Sequence, residues 1–207
     1  MKKIPFTILL ALVATQAFAQ GDKAADPDKY TNVPVNTARA PWAYITTSTG
    51  FNNNTGILGF SIDVPIGRKL SIEAGPGMGT WNYKAYAGIR YYLKPHQRGF
   101  AFGTGLTYCT GLRNDEHDLK TIYGYSEQIE YDKNPQTNIL FAAYKYWNLG
   151  RRYNRIYMEL GWSVPLTGGS KISQLSGAPM SSSQRNGIES SAPGGLIVAM
   201  GFSFGMH

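Results

Sequence analysis

Cysteine is almost missing from this 207-residue chain: Cys109 stands alone, so no intrachain disulfide can form. Charge is scarce as well, at 16% of residues. No long block of Lys or Arg occurs, which leaves nucleic-acid binding without an electrostatic footprint. No apolar run reaches the roughly 20 residues that a membrane-spanning helix needs, and mean hydropathy is −0.26. Histidine is limited to His96, His117 and His207. No strand-like segment places a Ser two residues from a His, and His117 could meet Ser126 only through loop folding. A Ser/His hydrolase, which needs both groups within hydrogen-bond reach, therefore has little support. What the chain does have is 24 Gly, 14 Tyr and 9 Phe.

The N-terminus accounts for part of the hydropathy. Lys2 and Lys3 are followed by the apolar stretch Ile4 to Ala14 and then by Ala17-Phe18-Ala19. This is the tripartite pattern of a secretory signal peptide, with residues 1–19 removed after Ala19 and Gln20 as the new N-terminus. Cleavage lowers the net charge from +7 to +5 by removing two lysines. No Cys follows the cleavage site, so a lipoprotein anchor is not indicated. Residues 20–41 are polar, with Pro27, Pro34 and Pro41, and read as a periplasmic lead-in segment.

From Trp42 the pattern turns to period two, the signature of strands with one apolar face. Eight segments carry it: Trp42–Phe51, Thr55–Val64, Lys69–Thr80, Tyr83–Leu93, Phe100–Leu112, Thr137–Asn148, Arg155–Leu166 and Gly195–Met206. Each is near the 9–11 residues that a tilted strand needs to cross a bilayer. The connections are short, except for Arg113–Gln136 and Thr167–Gly194, which follow the fifth and seventh strands. Long loops on one side and short turns on the other fit outer-membrane topology with both termini in the periplasm. The predicted fold is an all-β, eight-stranded antiparallel up-and-down transmembrane β-barrel spanning residues 42–207.

The two faces differ in kind. Ile156, Met158, Leu160, Trp162, Val164 and Leu166 oppose Tyr157, Glu159, Gly161, Ser163 and Pro165. The less apolar face is crowded with Gly, Ala and Ser, as a narrow interior requires, whereas a water-facing surface would carry more Lys and Glu. Its few charges nearly balance. Asp63, Glu73, Lys84, Arg90 and Glu159 are predicted to form an ion-pair network in the lumen, because buried charges must be paired. Thr137–Asn148 is apolar on both faces, which leaves Lys145 open as a further member. Trp42, Tyr44, Trp81, Tyr83, Tyr91, Tyr146, Trp147 and Tyr157 are candidates for aromatic girdles.

These features resemble small Gram-negative outer-membrane β-barrels, the class that includes the transmembrane domain of outer membrane protein A. The resemblance covers Trp42 to His207. It rests on the signal peptide, on Val64-Pro65-Ile66-Gly67-Arg68-Lys69-Leu70 followed by Glu73-Ala74-Gly75-Pro76-Gly77, and on Gly201-Phe202-Ser203-Phe204. The family's last strand ends in an aromatic residue; here Phe204 is followed by Gly205-Met206-His207. The resemblance extends to no peptidoglycan-binding domain. It implies outer-membrane localisation, with outer-membrane lipids, lipopolysaccharide and the outer-membrane insertion machinery as partners.

The long loops are the place for a protein partner. The third loop holds Asp115, Glu116, His117 and Asp118, then Tyr123 and Tyr125, and parts of it read as strands extended above the membrane. The spacing fits no metal motif, and neither a cofactor nor a catalytic residue is indicated. The fourth loop, rich in Ser and Gly, reads as flexible. The leading reading is a non-enzymatic barrel with a filled lumen and exposed loops for envelope structure or surface contact. A lipid-modifying enzyme, a narrow solute pore and a soluble periplasmic carrier stay open as alternatives.

Overall fold

The computed structural model describes residues 41–94, 98–149 and 153–207. The expected leader and all of the lead-in segment but Pro41 lie outside the described residues, as does His96.

Eight strands close on themselves: β1 (Ala43–Phe51), β2 (Leu58–Pro65), β3 (Leu70–Gly79), β4 (Asn82–Lys94), β5 (Arg98–Cys109), β8 (Gln136–Leu149), β9 (Asn154–Pro165) and β11 (Gly195–Met206). Every neighbouring pair is antiparallel. The sheet seals where β1 meets β11, from Ala43 opposite Met206 to Phe51 opposite Val198. Closure leaves the barrel no unpaired edge. β6 (Leu112–Lys120) and β7 (Ser126–Lys133) lie between β5 and β8, while β10 (Ile172–Gln174) and helix α1 (Ser182–Ser190) lie between β9 and β11.

The barrel strands are the eight read from period two, with shifted ends. The second begins at Leu58, not Thr55, because Asn53, Asn54 and Thr55 fold into the barrel mouth and are buried. There the Asn53 amide donates to Ser48 Oγ at 2.8 Å. The fifth stops at Cys109 because Gly111, at φ 74°, turns the chain away.

Alternation assigns the faces. Leu70, Ile72, Phe102, Leu106, Met158, Leu160, Trp162 and Met200 point outward and are exposed. The interior takes Gly, Ala, Ser and Thr together with Tyr44, Tyr86, Tyr92, Tyr144, Tyr146 and Tyr157. β8, ambiguous in sequence, sends Leu140, Ala142, Tyr144 and Tyr146 inward and leaves Phe141 and Trp147 exposed. The girdle expectation therefore needs correction. Trp42, Tyr83, Tyr91 and Trp147 are exposed, but Tyr44, Tyr146 and Tyr157 are buried in the lumen. Parity is the reason: Tyr44 shares its face with Thr46 and Ser48, and Tyr157 shares its face with Glu159. Trp81 is buried too, in a cluster with residues of the two long connections.

The rings fit inside because glycine faces them. A β-carbon at Gly201 would lie 2.4 Å from the Tyr157 ring, and one at Gly103 would lie 2.9 Å from the Tyr144 ring. Gly201→Ala is therefore expected to destabilise the barrel by about 1–3 kcal/mol through overpacking. Its neighbour Met200 faces outward, so Met200→Leu should shift stability little. Urea unfolding midpoints of the two variants check this; equal midpoints would contradict the packing.

Candidate functional site

The lumen is the first candidate. Asp63, Glu73, Lys84, Arg90 and Glu159 all lie inside the barrel and are buried. Strands β2, β3, β4 and, from across the barrel, β9 bring four charges together. Arg90 on β4 pairs through Nη2 with Glu73 on β3. Its Nη1 donates to the Tyr146 hydroxyl at 2.7 Å and lies 3.9 Å from Asp63 Oδ2. Arg155, which the sequence reading leaves out, donates from Nη2 to the same Asp63 oxygen at 2.5 Å. The Tyr92 hydroxyl donates to Asp63 at 3.0 Å, and Ser61 Oγ donates to Glu73 at 2.6 Å.

Lys84 and Glu159 are inside but do not join this group. Lys84 Nζ donates to the Asn53 carbonyl at 2.6 Å, and Glu159 accepts from the Tyr144 hydroxyl at 3.1 Å. Lys145 is not in the lumen. It lies between the inward-facing Tyr144 and Tyr146, and so falls on the outer wall. Arg155 supplies the third cation instead, and the interior holds three carboxylates against three cations. Arg155 lies two residues before Tyr157, on the face that carries Glu159.

Aromatic rings stack against both guanidinium groups. Arg90 Cζ is 4.2 Å from the Tyr144 ring centre, and Arg155 Cζ is 3.7 Å from Tyr44 and 4.5 Å from Tyr146. Planar guanidinium groups suit such stacking. Chemically, the arrangement is a plug in which two carboxylates pair with two guanidinium groups and tyrosine rings pack on them.

The second candidate is a folded cap on the long-loop side. β6, β7 and β10 form a three-stranded sheet in the order β10-β7-β6. Asp115, Glu116, His117 and Asp118 lie on β6, whereas Tyr123 and Tyr125 sit exposed at the hairpin tip, their rings parallel within 9°. Tyr131 on β7 is buried. It packs with Trp81, Cys109, Leu119, Ile129, Ile172, Met180 and Ala192. His117 pairs across the hairpin with Ile129, and Ser126 pairs with Lys120, so His117 and Ser126 do not meet.

The fourth connection, read as flexible, is built into this cap. β10 pairs with β7, the Ile122 amide donates to the Pro179 carbonyl at 2.9 Å, and α1 is capped by Ser181, whose side chain accepts from the Gln184 amide. Ser181 followed by Gln184 is a capping-box spacing, a signal that the sequence reading passed over.

Asp115 anchors the cap. Its Oδ2 receives Lys133 Nζ at 2.7 Å, and its Oδ1 lies 3.2 Å from His117 Nε2. Burial opposes the Asp115 charge, but the Lys133 ammonium outweighs it and holds the carboxyl below its ordinary value. Burial, and then the neighbouring Asp115 carboxylate, push the Tyr131 phenol up to about 12. Glu116 accepts from the Gln128 amide at 2.9 Å. Among the described residues, no cluster of His, Cys, Asp and Glu could hold a metal ion.

No protein-family model matches the sequence, and no curated protein matches it. Among solved structures, the chain is similar to the N-terminal β-barrel domain of OprF from Pseudomonas aeruginosa. The two are 12% identical over 78% of this chain and 93% of that one, with a TM-score of 0.41.

Two outcomes are expected from this geometry. Asp63→Asn leaves two buried guanidinium groups short of a carboxylate and should cost about 3–5 kcal/mol of stability. Combined with Arg155→Met, the loss should be less than the sum of the single losses. A double-mutant cycle in urea measures this, and strict additivity would refute the coupling. The second concerns pH. The Asp115 carboxyl is depressed in the folded state, so its contribution is present above the ordinary aspartate value of about 3.9 and is lost as pH falls through the lower folded value. Hydrogen exchange at β6 and β7 should accelerate across that acid window in the native chain, with a smaller change in Asp115→Asn. Identical acid profiles would remove Asp115 as the anchor.

Proposed function

We propose that the chain is an exported integral outer-membrane β-barrel without catalytic activity. Its lumen is filled by side chains, and its cap serves envelope structure or surface contact. One observation carries this reading: among the described residues, every strand turns a mainly apolar face outward while the interior holds six charged side chains. A water-soluble barrel has the opposite arrangement. With lipid outside, closure also satisfies every backbone group of the wall within the sheet.

The interior weighs against the other readings. A soluble carrier needs an apolar cavity, but here Asp63, Glu73, Arg90 and Arg155 occupy the lumen with tyrosine rings packed on them. A solute pore needs a water path past the same residues. For a lipid-modifying enzyme, the Ser126 and His117 pairing that loop folding could have supplied is lost to the β6–β7 register. Outer-membrane lipids and lipopolysaccharide would surround the wall. The insertion machinery would meet the last strand, where Phe202 and Phe204 pack edge to face at 4.3 Å. A protein partner would meet the cap at Tyr123 and Tyr125.

Fractionation of expressing cells tests this reading. Recovery in the outer membrane is expected, with a band that migrates differently before and after boiling. In planar bilayers the protein should show no steady conductance. Detergent-free recovery from the periplasm without a heat-dependent shift would refute the reading, and a defined single-channel conductance would refute the filled lumen.

A further inference from the structure

We propose that Lys145 holds the headgroup phosphate of an anionic phospholipid against the outer wall, at the short-turn end of the barrel. The inference rests on the membrane reading above. Among the outward-facing positions of the eight barrel strands whose side chains are described, the polar members are Thr47, Thr49, Thr104, Thr137 and Asn154, and the charged one is Lys145. A cation on a lipid-facing wall is destabilising in proportion to its depth and tolerable near the headgroups. Any apolar residue would suit the position better if the wall met only acyl chains.

The surroundings of Lys145 favour a phosphate. It lies opposite Phe100, the third residue of β5, close to the turn that joins β4 to β5. Its ammonium sits 4.1 Å from the Phe100 ring centre, a cation on an aromatic face. Trp147, two residues nearer the turn, is exposed on the same face and belongs to the residue class that settles at headgroup level. No carboxylate of the described residues pairs with Lys145, and Lys94, at the end of β4, is also exposed. On the same rim Lys69 lies over Tyr91, 6.0 Å from the ring centre. Cations resting on aromatic rings thus recur where phosphates would lie. Lipopolysaccharide would occupy the leaflet at the cap end, so a glycerophospholipid of the inner leaflet is the ligand that this position selects.

The test uses the purified full chain in detergent, with native mass spectrometry reading the lipid that stays bound from equal mixtures of phosphatidylglycerol and phosphatidylcholine. The native protein should prefer phosphatidylglycerol. Lys145→Met should lower that preference about fivefold, the factor one lysine contributes beside an anionic surface, and Lys145→Arg should keep it. A heat-dependent gel shift verifies that each variant is a folded barrel. Unchanged selectivity in Lys145→Met overturns the proposal, as does displacement of the lipid by inorganic phosphate, which would make the site one for an ion alone. A native protein with a gel shift and no lipid preference refutes the site alone. One that needs no detergent and shows no shift refutes the membrane reading and the site together.

Discussion

The pairing of β1 with β11 is the constraint on which the rest of the molecule depends. Once Ala43 lies opposite Met206, the sheet has an inside and an outside, and every residue of eight strands is committed to one of them by parity. Eight strands enclose only enough space for side chains. Large residues can enter only where glycine or alanine faces them, which is why Tyr157 lies against Gly201 and Tyr144 against Gly103. Closure also denies the interior bulk water, so each charge admitted requires an opposite charge. Asp63, shared by Arg155 and Arg90, meets that requirement across β2, β4 and β9. The network ties together strands far apart in sequence.

The same constraint explains why the cap is structured. The two long connections leave the barrel at its wide-looped end with apolar residues that the wall cannot take. Leu119, Ile129 and Tyr131 from one connection meet Ile172, Met180 and Ala192 from the other over Trp81. Neither connection could bury these residues alone, but together they form a small core, and β10 and α1 are held by it. α1 has no buried residue of its own and contains Gly187, so its capping and the Arg185–Glu189 pair at 2.9 Å support it locally while the packing beside it fixes its place.

Legibility in the sequence follows from which of these forces is local. Period two is local, so the eight strands, their order and the long-loop side could be read directly, and so could the face that carries Asp63, Glu73, Arg90 and Glu159. Three features were not legible, each for a physical reason. Arg155 is the second residue of β9, where alternation has not yet built a pattern. Tyr44, Tyr146 and Tyr157 have the composition of an interfacial girdle, and only parity against their neighbours shows that they fill the lumen. The cap arises from contacts between segments far apart in the chain, such as Thr121 with Met180. Neither segment has a strong period of its own; a long loop and half of a folded unit look alike until the partner half is known.

Exceptions to a rule this strict are informative because the rule leaves them so little room. The lumen accepts charge only in balance, and its apparent imbalance in the sequence is resolved by Arg155. Among its described side chains the wall carries one charge, Lys145, at a level where Phe100 and Trp147 already mark the rim. Glycine inside and apolar side chains outside are consequences of geometry and would recur in any membrane barrel of this size. A lone cation on the wall is not a consequence of geometry. It has to be explained by what lies beside the wall, which is why Lys145 says more about the barrel's surroundings than the larger charge cluster inside it.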